Sequence, residues 1–85
     1  MNVERLSPVS QDLLRQAMPG GQVVNVLYRN GSRNETGFER ERRCFALGER
    51  GWLSFLGWDG RPGEALDSVS RWALTEEAQD LLGAA

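Results

Sequence analysis

The chain has 85 residues, a net charge of −2 and a pI near 5.0, with no histidine, no lysine, one cysteine and ten arginines. That composition excludes Schiff-base chemistry, a histidine general base and a Cys/His zinc site within one chain, because the residues these need are missing. An acidic pI also stands against a dedicated nucleic-acid binder, and a single small domain over residues 1–85 has a thin core, burying roughly 60–65% of its unfolded surface.

The first twenty residues carry Glu4, Arg5, Asp12 and Arg15 and no apolar run, so no secretory signal is expected. Ser7-Pro8 reads as a helix start, with Ser at the cap and Pro at the first helical position. Val9, Leu13, Leu14, Ala17 and Met18 then recur at helical spacing, which predicts a helix over 8–18 that stops at Pro19-Gly20-Gly21. Residues 22–29 (QVVNVLYR) are rich in β-branched and aromatic side chains and read as a strand; residues 30–37 (NGSRNETG) read as an exposed loop.

Residues 38–47 fit two readings. Thr36-x-x-Glu39, the Glu39–Arg43 spacing and Gly48 suit a helix, but Phe38 and Phe45 would share its face with Glu41 and Arg42. A strand is preferred, because it supplies an antiparallel neighbour for the next segment. Residues 51–58, with Trp52 to Trp58 (WLSFLGW) uncharged throughout, are expected to be the central strand, covered on both faces. Residues 64–74 suit either helix or strand, with Ser70, Trp72 and Leu74 alternating if strand. Thr75-Glu76-Glu77 starts a last helix, packed through Ala78, Leu81 and Leu82 and stopped by Gly83.

These elements predict an α+β fold: an antiparallel sheet of three or four strands (22–29, 38–47, 51–58, with 69–74 as the fourth) between an N-terminal and a C-terminal helix. The single Cys44 suits a reducing compartment, and the expected location is the cytoplasm, away from any membrane.

Three groups of residues could carry function. Arg29, Arg33, Arg40, Arg42 and Arg43 crowd one stretch and could grip phosphates or a partner protein, although Glu35, Glu39 and Glu41 interleave them. Trp52, Leu56, Trp58 and Trp72 are large apolar side chains in a small domain, and tryptophan and arginine are the residues most enriched at binding hot spots. Asp59, Glu64 and Asp67 flank a turn beside Trp58, as the acids of a carboxylate-based hydrolase could. Cys44, flanked by Arg42 and Arg43, has no histidine to serve as its base and reads as a buried apolar residue.

The run Trp72-Ala73-Leu74-Thr75-Glu76-Glu77-Ala78-Gln79-Asp80-Leu81-Leu82 resembles the wing-to-last-helix junction of winged-helix regulators. Residues 19–35 depart from that family, reading as turn, strand and loop where two helices would stand. A helix, three strands and a helix is also similar to the order in double-stranded RNA-binding domains. Their last helix begins with lysines, and this one begins with acids. No residue role is carried over from either resemblance.

The expected function is therefore non-catalytic: a small interaction module, of the kind of a bacterial or phage regulator or inhibitor, acting by protein–protein contact through Trp52, Leu56, Trp58 and Trp72. The partner is a second protein or a second copy, with no catalytic residue, metal or cofactor. The alternative is a nucleic-acid-binding regulator using the Arg29–Arg43 segment, and a small hydrolase stands third.

Overall fold

Ser7 and Pro8 begin the first helix as their chemistry dictates: Ser7 Oγ accepts the Ser10 N–H at 3.2 Å, and Pro8 occupies the first turn, where its missing N–H costs nothing. The computed structural model describes residues 2–18 and 20–83, so Pro19, part of the expected helix stop, lies outside the described residues. After a 3-10 turn at Val3–Arg5 come α1 (Pro8–Gln16), β1 (Gln22–Arg29), β2 (Ser32–Arg33), α2 (Glu35–Glu49), β3 (Leu53–Asp59), β4 (Ser68–Leu74) and α3 (Glu76–Gly83). The fold is α+β, with a helix at each end and a four-stranded antiparallel sheet in the order β2-β1-β4-β3.

Three expectations are corrected. Residues 38–47 are helical, inside α2, and not a strand. The buried face of α2 is Gly37, Glu41, Cys44 and Leu47, a regular stripe at helical spacing. A charged residue and a glycine stand in that stripe, so it does not look apolar in the sequence. Gly37 is needed because α2 crosses β1 there: a Cβ at this position would collide with the carbonyl of Val26. Residues 64–74 supply strand β4, with Ser68, Ser70, Trp72 and Leu74 turned to the core.

The second correction concerns the expected loop at 30–37. Asn30 (φ 50°) and Gly31 (φ 79°) form a two-residue hairpin turn that pairs Tyr28 with Arg33, and α2 begins at Glu35.

The third concerns the uncharged strand. β3 pairs only with β4 and lies at the sheet edge; β4 and β1 are central. β3 also bulges between Phe55 and Gly57, where Gly57 takes φ 131°, a conformation that suits glycine alone. The extra residue resets the alternation. Phe55 stands opposite Trp72 and Trp58 opposite Ser70, so both belong to the same face of the sheet.

All three helices cover that face. Leu6, Leu13, Leu14 and Ala17 from the N-terminal part join Cys44 and Leu47 of α2, Ala78 and Leu82 of α3, and Val23, Leu53, Trp72 and Leu74 of the sheet in one core with Trp52. Thr75 caps α3, its Oγ1 accepting the Ala78 N–H at 3.2 Å. The opposite face of the sheet is open, with Val24, Val26, Val69 and Ala73 beside Arg71, whose Nε lies 2.6 Å from Asp59 Oδ2. Antiparallel sheets tolerate one solvated face of this mixed kind.

Candidate protein-interaction surface

The four apolar residues singled out from the sequence separate into two pairs. Trp52 and Trp72 are 1% and 3% exposed and belong to the core, so neither can meet a partner directly. Trp52 sits between the end of α2 and the sheet, its N–H donating to the Leu47 carbonyl at 3.0 Å. Leu56 and Trp58 lie on β3 and are 52% and 44% exposed. Two phenylalanines that the sequence reading left out join them: Phe45 of α2 and Phe55 of β3, 50% and 41% exposed.

The aromatic residues form a connected cluster. Phe55 lies 5.0 Å from Trp58 and 5.0 Å from Trp72, ring centre to ring centre; Phe45 stacks on Phe55 at 6.4 Å and meets Trp72 edge-on at 5.0 Å. Buried Trp72 is its floor, and Phe45, Phe55 and Trp58 are its solvent-facing rim. The signal in the sequence was Phe45, four residues after the buried Glu41, and it becomes readable only once 38–47 is taken as helical.

Beside the cluster runs the free edge of β3. The Thr75 N–H donates to the Trp52 carbonyl at 3.1 Å. Leu53–Leu74 and Phe55–Trp72 are therefore the non-hydrogen-bonded pairs of the ladder, and the N–H and C=O of both residues point away from β4; Leu53 is buried, its carbonyl lying against Gly48 of α2, so the open groups are those of Phe55. Among the described residues nothing bonds to them. Exposed edges are normally guarded by charge, proline or a covering loop. Here the stretch 53–58 has no charge and no proline, and the bulge at Leu56 is its only device of that sort.

The five arginines do not form one strip. Arg33 is held at the hairpin, its Nε 2.6 Å from Glu35 Oε1 and its guanidinium 3.7 Å from the centre of the Phe38 ring. Glu35 holds its pKa above the ordinary arginine value. Arg29 ends β1. Arg40 and Arg43 border a cleft between α1 and α2 that also contains Asp12 and Glu39. Arg42 and Arg43 border a neighbouring groove with Arg5 and Arg50.

The remaining candidates for chemistry are tied into the fold. Asp59 pairs with Arg71, Asp67 Oδ1 accepts the Asn30 N–H at 2.8 Å, and Glu64 lies 3.9 Å from Arg61. Cys44 is fully buried, and burial pushes its thiol up, against a donated hydrogen bond from Asn25 Nδ2 at 3.5 Å that pulls it down. A raised thiol is a poorer nucleophile at neutral pH. Glu41, also buried, turns Oε1 to three neutral donors: Ser70 Oγ at 2.7 Å, Trp72 Nε1 at 2.7 Å and Asn25 Nδ2 at 3.0 Å. This polar cluster fastens α2 to the two central strands.

The chain matches no protein-family model, no curated protein and no solved structure.

Proposed function

We propose that the protein is a non-catalytic interaction module that binds another polypeptide through the edge of β3 and the aromatic rim beside it. The carrying observation is the coincidence of two exposed features in one place: the unpaired backbone groups of Phe55, and the half-exposed side chains of Phe45, Phe55 and Trp58. Backbone pairing with an added strand supplies affinity, and adjoining side-chain pockets supply selectivity. Tryptophan and phenylalanine also supply large contact areas at modest cost in side-chain entropy. The dispersed acids and the buried Cys44 favour this reading over hydrolysis, and the separation of Arg29 and Arg33 from Arg40, Arg42 and Arg43, with Glu39 and Asp12 among the latter, favours it over nucleic-acid binding.

The test is a photo-crosslinking residue placed at Trp58, with a control at Arg61 in the following turn, expressed in living cells. The reading predicts adducts with one dominant polypeptide at position 58, lost when Phe55 is changed to aspartate. Equal labelling from both positions, or none from position 58, contradicts it.

A further inference from the structure

Along α2 and its C-cap, Glu39, Arg43, Ala46 and Arg50 follow each other at alternating four- and three-residue steps and so lie along one flank, on the α1 side and away from Phe45. Across from them stand Arg5 of the 3-10 turn and the start of α1 at Ser7 and Ser10; Arg42 borders the same space. The groove they form has a volume of about 550 Å³, within the range of small-ligand sites. Ala46 is short, which keeps the space between Arg42 and Arg50 open.

Four guanidinium groups and one carboxylate therefore share this groove. Arg33, Arg61 and Arg71 each lie against an acid elsewhere, but Arg5, Arg42, Arg43 and Arg50 have no ion-pair partner among the described residues, and neither has Glu39. Arg43 reaches across to α1, its Nη1 donating to Ser10 Oγ at 3.4 Å. No acid stands in the first turn of α1, so the positive end of that helix adds to the same field. Positive groups crowded in this way repel one another, and a bound anion relieves the repulsion.

We propose that this groove binds a phosphate monoester group, held by Arg42 and Arg43 from α2 and by Arg5 from the opposite wall. The site lies apart from the β3 edge and does not rest on the reading of that edge. Phosphate suits it better than carboxylate. Its three acceptor oxygens point in different directions and can meet donors from both walls, whereas a planar carboxylate offers one edge. The excess of positive charge over Glu39 also suits a dianion. A nucleic-acid strand fits less well, because Glu39 here and Asp12 in the neighbouring cleft interrupt the positive strip that its successive phosphates would follow.

The experiment is a titration of the isotope-labelled chain, read from its amide NMR shifts. The probes are inorganic phosphate, the peptide acetyl-Ala-phosphoserine-Ala-amide and the same peptide with glutamate in place of phosphoserine. Both phosphate probes are expected to shift the amides of Arg5, Ser10 and Arg43 saturably, and the glutamate peptide to bind about tenfold more weakly. Arg42→Gln and Arg43→Gln, both at exposed positions and checked for folding from the same spectra, should each weaken phosphate binding about tenfold. Arg29→Gln, the same change of charge at the hairpin, should leave it within about twofold. The chain has no histidine, so affinity for the phosphopeptide should rise between about pH 5 and pH 7, as the ligand gains its second charge near pH 6. A phosphopeptide bound more tightly than inorganic phosphate identifies a modified polypeptide as the source of the group; equal or weaker binding identifies a small phosphorylated molecule. No saturable shift up to about 10 mM of either phosphate probe overturns the proposal. So does equal binding of the glutamate peptide, an equal loss in Arg29→Gln, or a single-stranded oligonucleotide held more tightly through the same arginines.

Discussion

The indole N–H of Trp72 donates to Glu41 Oε1 at 2.7 Å, joining the middle of α2 to the central strand β4. The same oxygen receives Ser70 Oγ and Asn25 Nδ2. A small domain that places a carboxyl side chain at 5% exposure needs those donors, since removing the acceptor leaves several buried polar groups unpaired at once. The expected cost of Glu41→Leu is about 3 kcal/mol in urea unfolding, and Glu41→Gln, which keeps an acceptor oxygen, is expected to cost less than half as much. Ser68 gives the opposite case. Its buried Oγ has no hydrogen-bond partner among the described residues, so Ser68→Ala is expected to be neutral or stabilising by up to about 1 kcal/mol. A tolerated Glu41→Leu would contradict the role given to this oxygen.

Cys44 gives the domain an alkaline limit. Burial raises its thiol above the ordinary value near 9, so the unfolded chain loses the proton at lower pH than the folded one. Its contribution to stability is fully present below the unfolded value and is lost as the pH rises from there through the folded value. Urea midpoints should therefore fall above pH 9, and the fall should be smaller in Cys44→Ala. Thiol reagents at neutral pH should label Cys44 only as fast as the domain opens. Immediate labelling of the folded protein would contradict its burial.

The three tryptophans should respond differently to a soluble quencher. Trp52 and Trp72 are core, and Trp58 is 44% exposed. In dilute protein, acrylamide should quench one accessible component, and Trp58→Phe should remove it while keeping the fold. Two or three equally accessible components would contradict the core assignment.

No tight complex with DNA or RNA is expected at physiological salt, because Arg29 and Arg33 stand at the hairpin apart from Arg40, Arg42 and Arg43, whose clefts also hold Asp12 and Glu39. Arg40→Glu combined with Arg43→Glu should leave any residual retention on nucleic-acid columns weak and salt-sensitive. A sub-micromolar complex at physiological salt, abolished by those two changes, would restore the nucleic-acid reading.

What the sequence made legible followed from local chemistry. Ser7-Pro8 and Thr75-Glu76-Glu77 act through caps that need no tertiary contact, and residues 22–29 form a strand from β-branched content alone. The misreadings share a cause. Glu41 looks solvent-facing until Asn25, Ser70 and Trp72, all distant in sequence, are brought around it, and without it the stripe of α2 disappears. Gly57 similarly shifts the alternation of β3, so Phe55 and Trp58 share a face that counting by twos would divide. Asn30-Gly31 is a hairpin signal that the sequence did contain and that was read as loop. Of the interaction surface, Leu56 and Trp58 were legible as large apolar residues in an uncharged run. Phe45 and the open backbone of Phe55 were not, because they depend on which strand ends at the edge.

The most direct measurement of that edge is amide hydrogen exchange at Phe55 with and without the polypeptide that crosslinks at position 58. In the isolated domain this amide points away from β4, in a residue that is 41% exposed, and should exchange far faster than those of β4, which lies between β1 and β3. The account predicts that it slows when that polypeptide is bound, while the amides of β4 stay slow throughout. A Phe55 amide that exchanges equally fast in the complex would contradict it.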